Sequence, residues 1–231
     1  ADKVHDLKMP AVAMTDHGNL FGAIEFYETM SKSGIKPILG CEAYVMREEK
    51  PSAAGRAEEG VDHLVLLARN MEGYRNLIKI ATSAHVQNRH PHFPAVDLNF
   101  LAAHGNGLIG LSGCIRGEIP RLLLAGREDI AREALKRYQK IFGEPHFFLE
   151  LQNHGLDDEL IANERLIRMA QSQGAPLVAT NDVHYLAPED HEAHDVLLCI
   201  KQGVRVADTQ RMRFPTDQHY FKTYEEMREL F

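Results

Sequence analysis

No stretch of this 231-residue chain stays apolar over the roughly 20 residues that cross a bilayer, so no membrane-spanning helix and no membrane partner are expected. Cysteine is scarce. Cys41, Cys114 and Cys199 are odd in number and far apart, which argues against a disulfide framework and fits reduced thiols in a cytoplasm. Positive charge is in deficit: a formal net charge of −7 speaks against a broad basic face for nucleic acid, though not against a small contact inside a site. Also missing are a glycine-rich phosphate cradle, a Ser-His-Asp order and zinc-finger spacing. The opening Ala-Asp-Lys-Val-His-Asp-Leu-Lys is too charged for a signal peptide, and a cytoplasmic location is expected. Histidine, by contrast, is plentiful, with 13 residues, and the question is whether they gather.

The chain is organised around Pro176 to Tyr185. Its apolar run Leu177-Val-Ala reads as a strand buried on both faces, and it ends in Asp182 and His184, two residues apart. In an extended tip those two side chains share a side and can approach one ion. Asp182 could equally cap the helix that follows. A near-copy lies at 11–18, where another apolar strand ends in Thr15-Asp16-His17-Gly18.

Further strands are expected at 36–45, 61–68, 107–113 and 146–152, with helices at 20–33, 71–85, 98–104, 117–125, 127–142, 157–173 and 188–202. Residues 1–9 read as the second half of a helix, 47–60 as a charged mobile loop, 86–97 as an irregular loop broken by prolines, and 204–223 as an extended tail. Six strands alternating with helices predict parallel pairing and one α/β domain over 1–231. Ligand-type residues then fall at strand ends: Asp16 and His17, Glu42, Cys114, Asp182 and His184. That is the pattern of a β/α barrel, whose sites sit at the C-terminal ends of its strands. His63 stands near the start of its strand and reaches such a site only if the strand begins at the rim or runs antiparallel. Each residue has a blander reading: His17 as a turn cap, Glu42 as an edge carboxylate, Cys114 as a small buried hydrophobe. His85, His90, His92, His104, His191 and His194 read as solvated, and Glu150, mid-strand, needs a partner if it points inward.

Thr15-Asp-His-Gly-Asn-Leu-Phe-Gly22, Gly34-Ile-Lys-Pro-Ile-Leu-Gly-Cys-Glu42, Leu111-Ser-Gly-Cys114 and Thr180-Asn-Asp-Val-His-Tyr185 resemble the PHP (polymerase and histidinol phosphatase) domain at the N-terminus of the bacterial DNA polymerase III alpha subunit. The resemblance implies a distorted (β/α)7 barrel and two or three divalent ions, zinc, manganese or iron. It implies metal ligands at His17, Glu42, His63, Cys114, Asp182 and His184, with Asp16 beside a metal-bound water. It also implies a metal-dependent phosphoesterase site, linked in related polymerases to 3′–5′ exonuclease proofreading, or else a scaffold that docks a separate proofreading subunit. The implied partners are the rest of the polymerase and a DNA 3′ end or primer-template. Two departures stand out. The family begins with a strand bearing a His-x-His pair, and this sequence starts after it; and Pro91-His-Phe-Pro-Ala-Val-Asp97 stands where such polymerases often carry basic residues. Tyr220-Phe-Lys-Thr-Tyr-Glu-Glu-Met227 resembles the exit towards the polymerase palm and disfavours a free-standing phosphatase, with 203–231 expected as an extended tail.

Overall fold

Apolar runs cut by glycine, proline and charge become strands, and apolar residues three and four apart become helices. The computed structural model describes residues 1–47, 60–87 and 90–231, so the mobility expected of the charged loop falls at 48–59, outside the described residues. In chain order the elements are α1 (Asp2–Asp6), β1 (Ala11–His17), α2 (Ala23–Lys32), β2 (Lys36–Met46), β3 (Val61–Ala68), α3 (Met71–Val86), β4 (Ala95–Val96), α4 (Leu98–Ala103), β5 (Leu108–Leu111), α5 (Glu118–Leu124), α6 (Glu128–Phe142), β6 (Phe147–Leu151), α7 (Asp157–Gln173), β7 (Leu177–Ala179), α8 (His191–Gln202) and α9 (Tyr224–Leu230).

The strands form one path, β1-β2-β3-β5-β6-β7, with the two-residue β4 paired to β2 at Tyr44 and Val45. The expectation of all-parallel pairing fails at β3, which runs antiparallel to both β2 and β5. The physical reason is the connection. No helix was expected in 47–60, and without a crossover helix the following strand turns back beside its predecessor; the Arg47 N–H donates to the Gly60 carbonyl at 2.8 Å, so the hairpin is bonded up to its open end. This reversal carries the start of β3, with His63, to the rim where β1 and β2 end.

Both faces of the sheet are apolar. On β3, Leu64 and Leu66 are buried against the helices, joining Leu77, Ile80, Leu108, Leu135 and Phe147 in the main core. Val65 and Leu67 point the other way, with Val12, Leu111, Phe148 and Val178, into a cavity of 840 Å³. Residues of β1, β2, β3, β5, β6 and β7 all line that cavity, so the sheet curls around it into an open, distorted barrel of the α/β class. The path has two ends, β1 and β7, and among the described residues neither pairs with a further strand.

The C-terminal stretch departs from an extended tail. Thr223 accepts from the Glu226 N–H at 3.1 Å while the Glu226 carboxylate accepts from the Thr223 N–H at 2.7 Å, a reciprocal cap that starts α9. Before it, the chain returns to the barrel through a bridge between Tyr220 and Tyr185.

Candidate metal centre

Register brings the first pair together. His17 lies opposite Glu42 in the parallel ladder of β1 and β2, and its Nδ1 sits 3.1 Å from Glu42 Oε1. His63 arrives from antiparallel β3, with Nδ1 2.7 Å from the same oxygen. Cys114 follows β5, its Sγ 3.7 Å from His63 Nδ1. Gly113 makes that approach possible: its φ is +79°, and a Cβ there would meet the His63 carbonyl oxygen at 2.7 Å. From the other side of the opening, the β7 tip supplies His184, whose Nε2 stands 3.3 Å from His17 Nε2, and Asp182, whose Oδ1 is 3.8 Å from His184 Nδ1. The structure thus strings all six candidate residues into one run of contacts: Cys114, His63, Glu42, His17, His184, Asp182. Asp16 lines the same cavity and its Oδ2 lies 3.4 Å from the Gly22 N–H, just before α2.

Electrostatics follow from burial. It would push the Glu42 carboxyl up, but the hydrogen bonds from His17 and His63 overcome it and hold the group well below the carboxylate range. The same Glu42 bond raises His17. Burial raises the Cys114 thiol well above its ordinary value and also raises Asp182. Glu150, 4% exposed and facing the cavity, is pushed up to about 7 by burial. It is fully bonded: Oε2 accepts from the Gly113 N–H at 2.9 Å and Oε1 from the Thr180 hydroxyl at 2.5 Å.

The donor set fits a cation. His17 Nδ1 is engaged with Glu42 and His184 Nδ1 with the Asp182 carbonyl at 2.7 Å, which leaves the two Nε2 lone pairs facing each other. Their 3.3 Å separation matches the edge, about 3.3–3.4 Å, of a tetrahedron around an ion with metal–nitrogen bonds near 2.0–2.1 Å. Asn181, next to Asp182 in the chain, has a buried Oδ1 with no hydrogen-bond partner among the described residues.

Several residues escape the sequence reading. His219 joins Asp182 and His184 in a group whose ligand-type atoms lie within 4.8 Å of one another. It sits in a segment without periodicity, and its partner is 37 residues away. His90 is buried at 8%, not solvated. His194 stacks on Phe214 and meets His184 edge-on at 5.5 Å, and His85 reaches the Gly18 carbonyl at 2.9 Å.

The sequence profile of the PHP domain matches residues 1–154. Curated relatives are DNA polymerase III alpha subunits: that of Thermus aquaticus is 45% identical over 96% of this chain and 18% of its own length. That of Treponema pallidum is 44% identical over 97% of this chain and 19% of its own. The chain therefore spans about a fifth of the curated relatives it matches. Among solved structures, a Bifidobacterium adolescentis chain provisionally described as a metal-dependent phosphoesterase aligns over 99% of this chain and 87% of its own, at 12% identity and a TM-score of 0.44.

Proposed function

The chain belongs to the PHP domain family, and on that premise we propose that it is the PHP module of a bacterial replicative DNA polymerase alpha subunit, carrying a metal-dependent phosphoesterase site that acts on DNA 3′ ends. The observation that carries the metal reading is the pair of opposed Nε2 atoms of His17 and His184, 3.3 Å apart with both Nδ1 positions already engaged. His17, Glu42, His63, Cys114, Asp182 and His184 would hold two or three divalent ions. Zinc and iron suit imidazole and thiolate better than magnesium does, and manganese suits the carboxylates of Glu42 and Asp182. Bound there, such ions supply Lewis acidity at a phosphoryl group and lower the pKa of water.

The chain's own residues do the rest. Glu42 accepts a proton-bearing nitrogen from both His17 and His63 and so fixes which way each ring points. The Asp182 carbonyl does the same for His184. The cavity below the site is walled by Val12, Val65, Leu111, Phe148 and Val178, with Glu150, Gln152 and Thr180 as polar positions among them.

Elemental analysis after zinc loading tests the reading. H17A, H184A and D182A should each retain markedly less metal than the parent chain, whereas H104A, whose ring bonds only its own helix at the Phe100 carbonyl, should match it. Equal metal in all four variants overturns the assignment. Release of nucleotides from 3′-labelled DNA, lost in H184A and unaffected in H104A, tests the chemistry.

A second reading has its own support. On α8, Val196, Leu197 and Ile200 are 45%, 62% and 71% exposed, an apolar face suited to burial against other parts of a polymerase or a separate proofreading subunit. In a whole polymerase, H184A that leaves DNA synthesis and proofreading intact while I200D destabilises the enzyme would favour a scaffold.

A further inference from the structure

The stretch 214–221 is bound to the β7 tip more closely than a passing tail requires. The His184 N–H donates to the His219 carbonyl at 2.8 Å, and the Phe221 N–H to the Tyr185 carbonyl at 3.0 Å. Asn181 Nδ2 donates to the carbonyls of Gln218 and Tyr220 at 2.9 and 2.7 Å. The imidazole of His219, 5% exposed, stacks on Phe214 at 4.3 Å and on His154 at 3.8 Å, near-parallel to both, so its plane is fixed from either face. His154 is itself pinned, with Nδ1 2.6 Å from Glu159 Oε1 and Nε2 3.0 Å from the Asn181 carbonyl.

What the held ring does follows from its edge. His219 Nδ1 lies 3.2 Å from the Asp182 carbonyl oxygen and 3.8 Å from Asp182 Oδ2. The first is a hydrogen-bond distance and the second is not. His184 Nδ1 approaches the same carbonyl at 2.7 Å. Asp182 has a φ of +42°, in the left-handed region that disfavours a residue with a Cβ. A carbonyl oxygen takes an N–H, not a lone pair, so a nitrogen bonded to it is not free to ligate an ion. The Nδ1 atoms of His184 and His219 are therefore taken up alike, and what sets His184 apart is its Nε2, which faces His17 across the opening at 3.3 Å. We propose that His219 is a positioning residue: its Nδ1–H, with that of His184, holds Asp182 in the left-handed conformation that presents its carboxylate to the ion. This rests on the metal reading above and adds the C-terminal segment, which lies beyond the matched residues 1–154, to the site.

The test uses zinc alone and three forms of the chain. H219F keeps a stacked ring and removes the N–H, whereas H219N offers an amide N–H near the Nδ1 position without the ring. Zinc affinity should fall 10- to 100-fold in H219F, the effect of losing an orienting partner, and recover most of the way in H219N. Melting temperatures in chelator should rank the other way, H219F staying nearer the parent. In the zinc-loaded parent, nitrogen-15 spectra should show a protonated, uncoordinated His219 Nδ1. Undiminished zinc affinity in H219F overturns the proposal, and so does a nitrogen shift showing direct coordination. Absence of zinc binding in the parent overturns the metal reading, and the positioning role with it.

Discussion

Glu150 is where the residue scale makes a pH-dependent demand. Its carboxyl titrates at about 7 in the folded chain against 4.5 for an ordinary glutamate, because burial disfavours the charge. Between those values the folded state holds more protons than the unfolded one, so stability falls as pH rises. The contribution is fully present below pH 4.5 and lost above 7, and it amounts to about 3 kcal/mol. Urea unfolding from pH 5 to pH 8 should show this slope, and E150Q should flatten it. The residue was conspicuous as a polar position inside an apolar strand, and what could not be read was its partner set, since Gly113 and Thr180 lie 37 and 30 residues away. Gly113→Ala should be costlier than its size suggests. It needs a positive φ and meets the His63 carbonyl, so a loss of more than 1 kcal/mol is expected, with reduced metal retention because Cys114 moves with it.

At the scale of elements, the strand tips were legible because two runs, Ala11–Met14 and Leu177–Ala179, stop at the same threonine-to-acid change. Direction was not. Whether β3 runs with or against β2 depends on the link at 47–60, and the apolar pattern of Val61–Ala68 is the same either way. The reversal nevertheless accounts for His63, whose place near the start of a strand had suggested the antiparallel alternative. The helix α9 was legible in principle from Thr223 followed by Glu226. Thr223→Ala should cost about 1 kcal/mol and fray Tyr224–Leu230, measurable as faster amide exchange there with the barrel amides unchanged.

For the whole molecule, the open path from β1 to β7 is the dominant feature. β1, β2, β5, β6 and β7 are linked through parallel pairs on either side of β3, which reverses direction twice over the path, so β1 and β7 run the same way. One inserted strand could pair parallel to both. We expect that supplying about 20 residues ahead of residue 1, a strand bearing a His-x-His pair and the start of its crossover helix, raises the melting temperature and the metal stoichiometry together. Differential scanning fluorimetry and elemental analysis on the two forms would check this, and an unchanged pair of values would count against it. The His17–His184 contact spans the same opening and joins residues 167 apart. An ion held there ties the two ends of the open path together. Because it binds the folded chain, it stabilises that state by mass action, about 2.7 kcal/mol when free metal stands at 100 times its dissociation constant. The chain has its cysteines apart and unpaired, so this clasp is one that a chelator, rather than a reductant, opens.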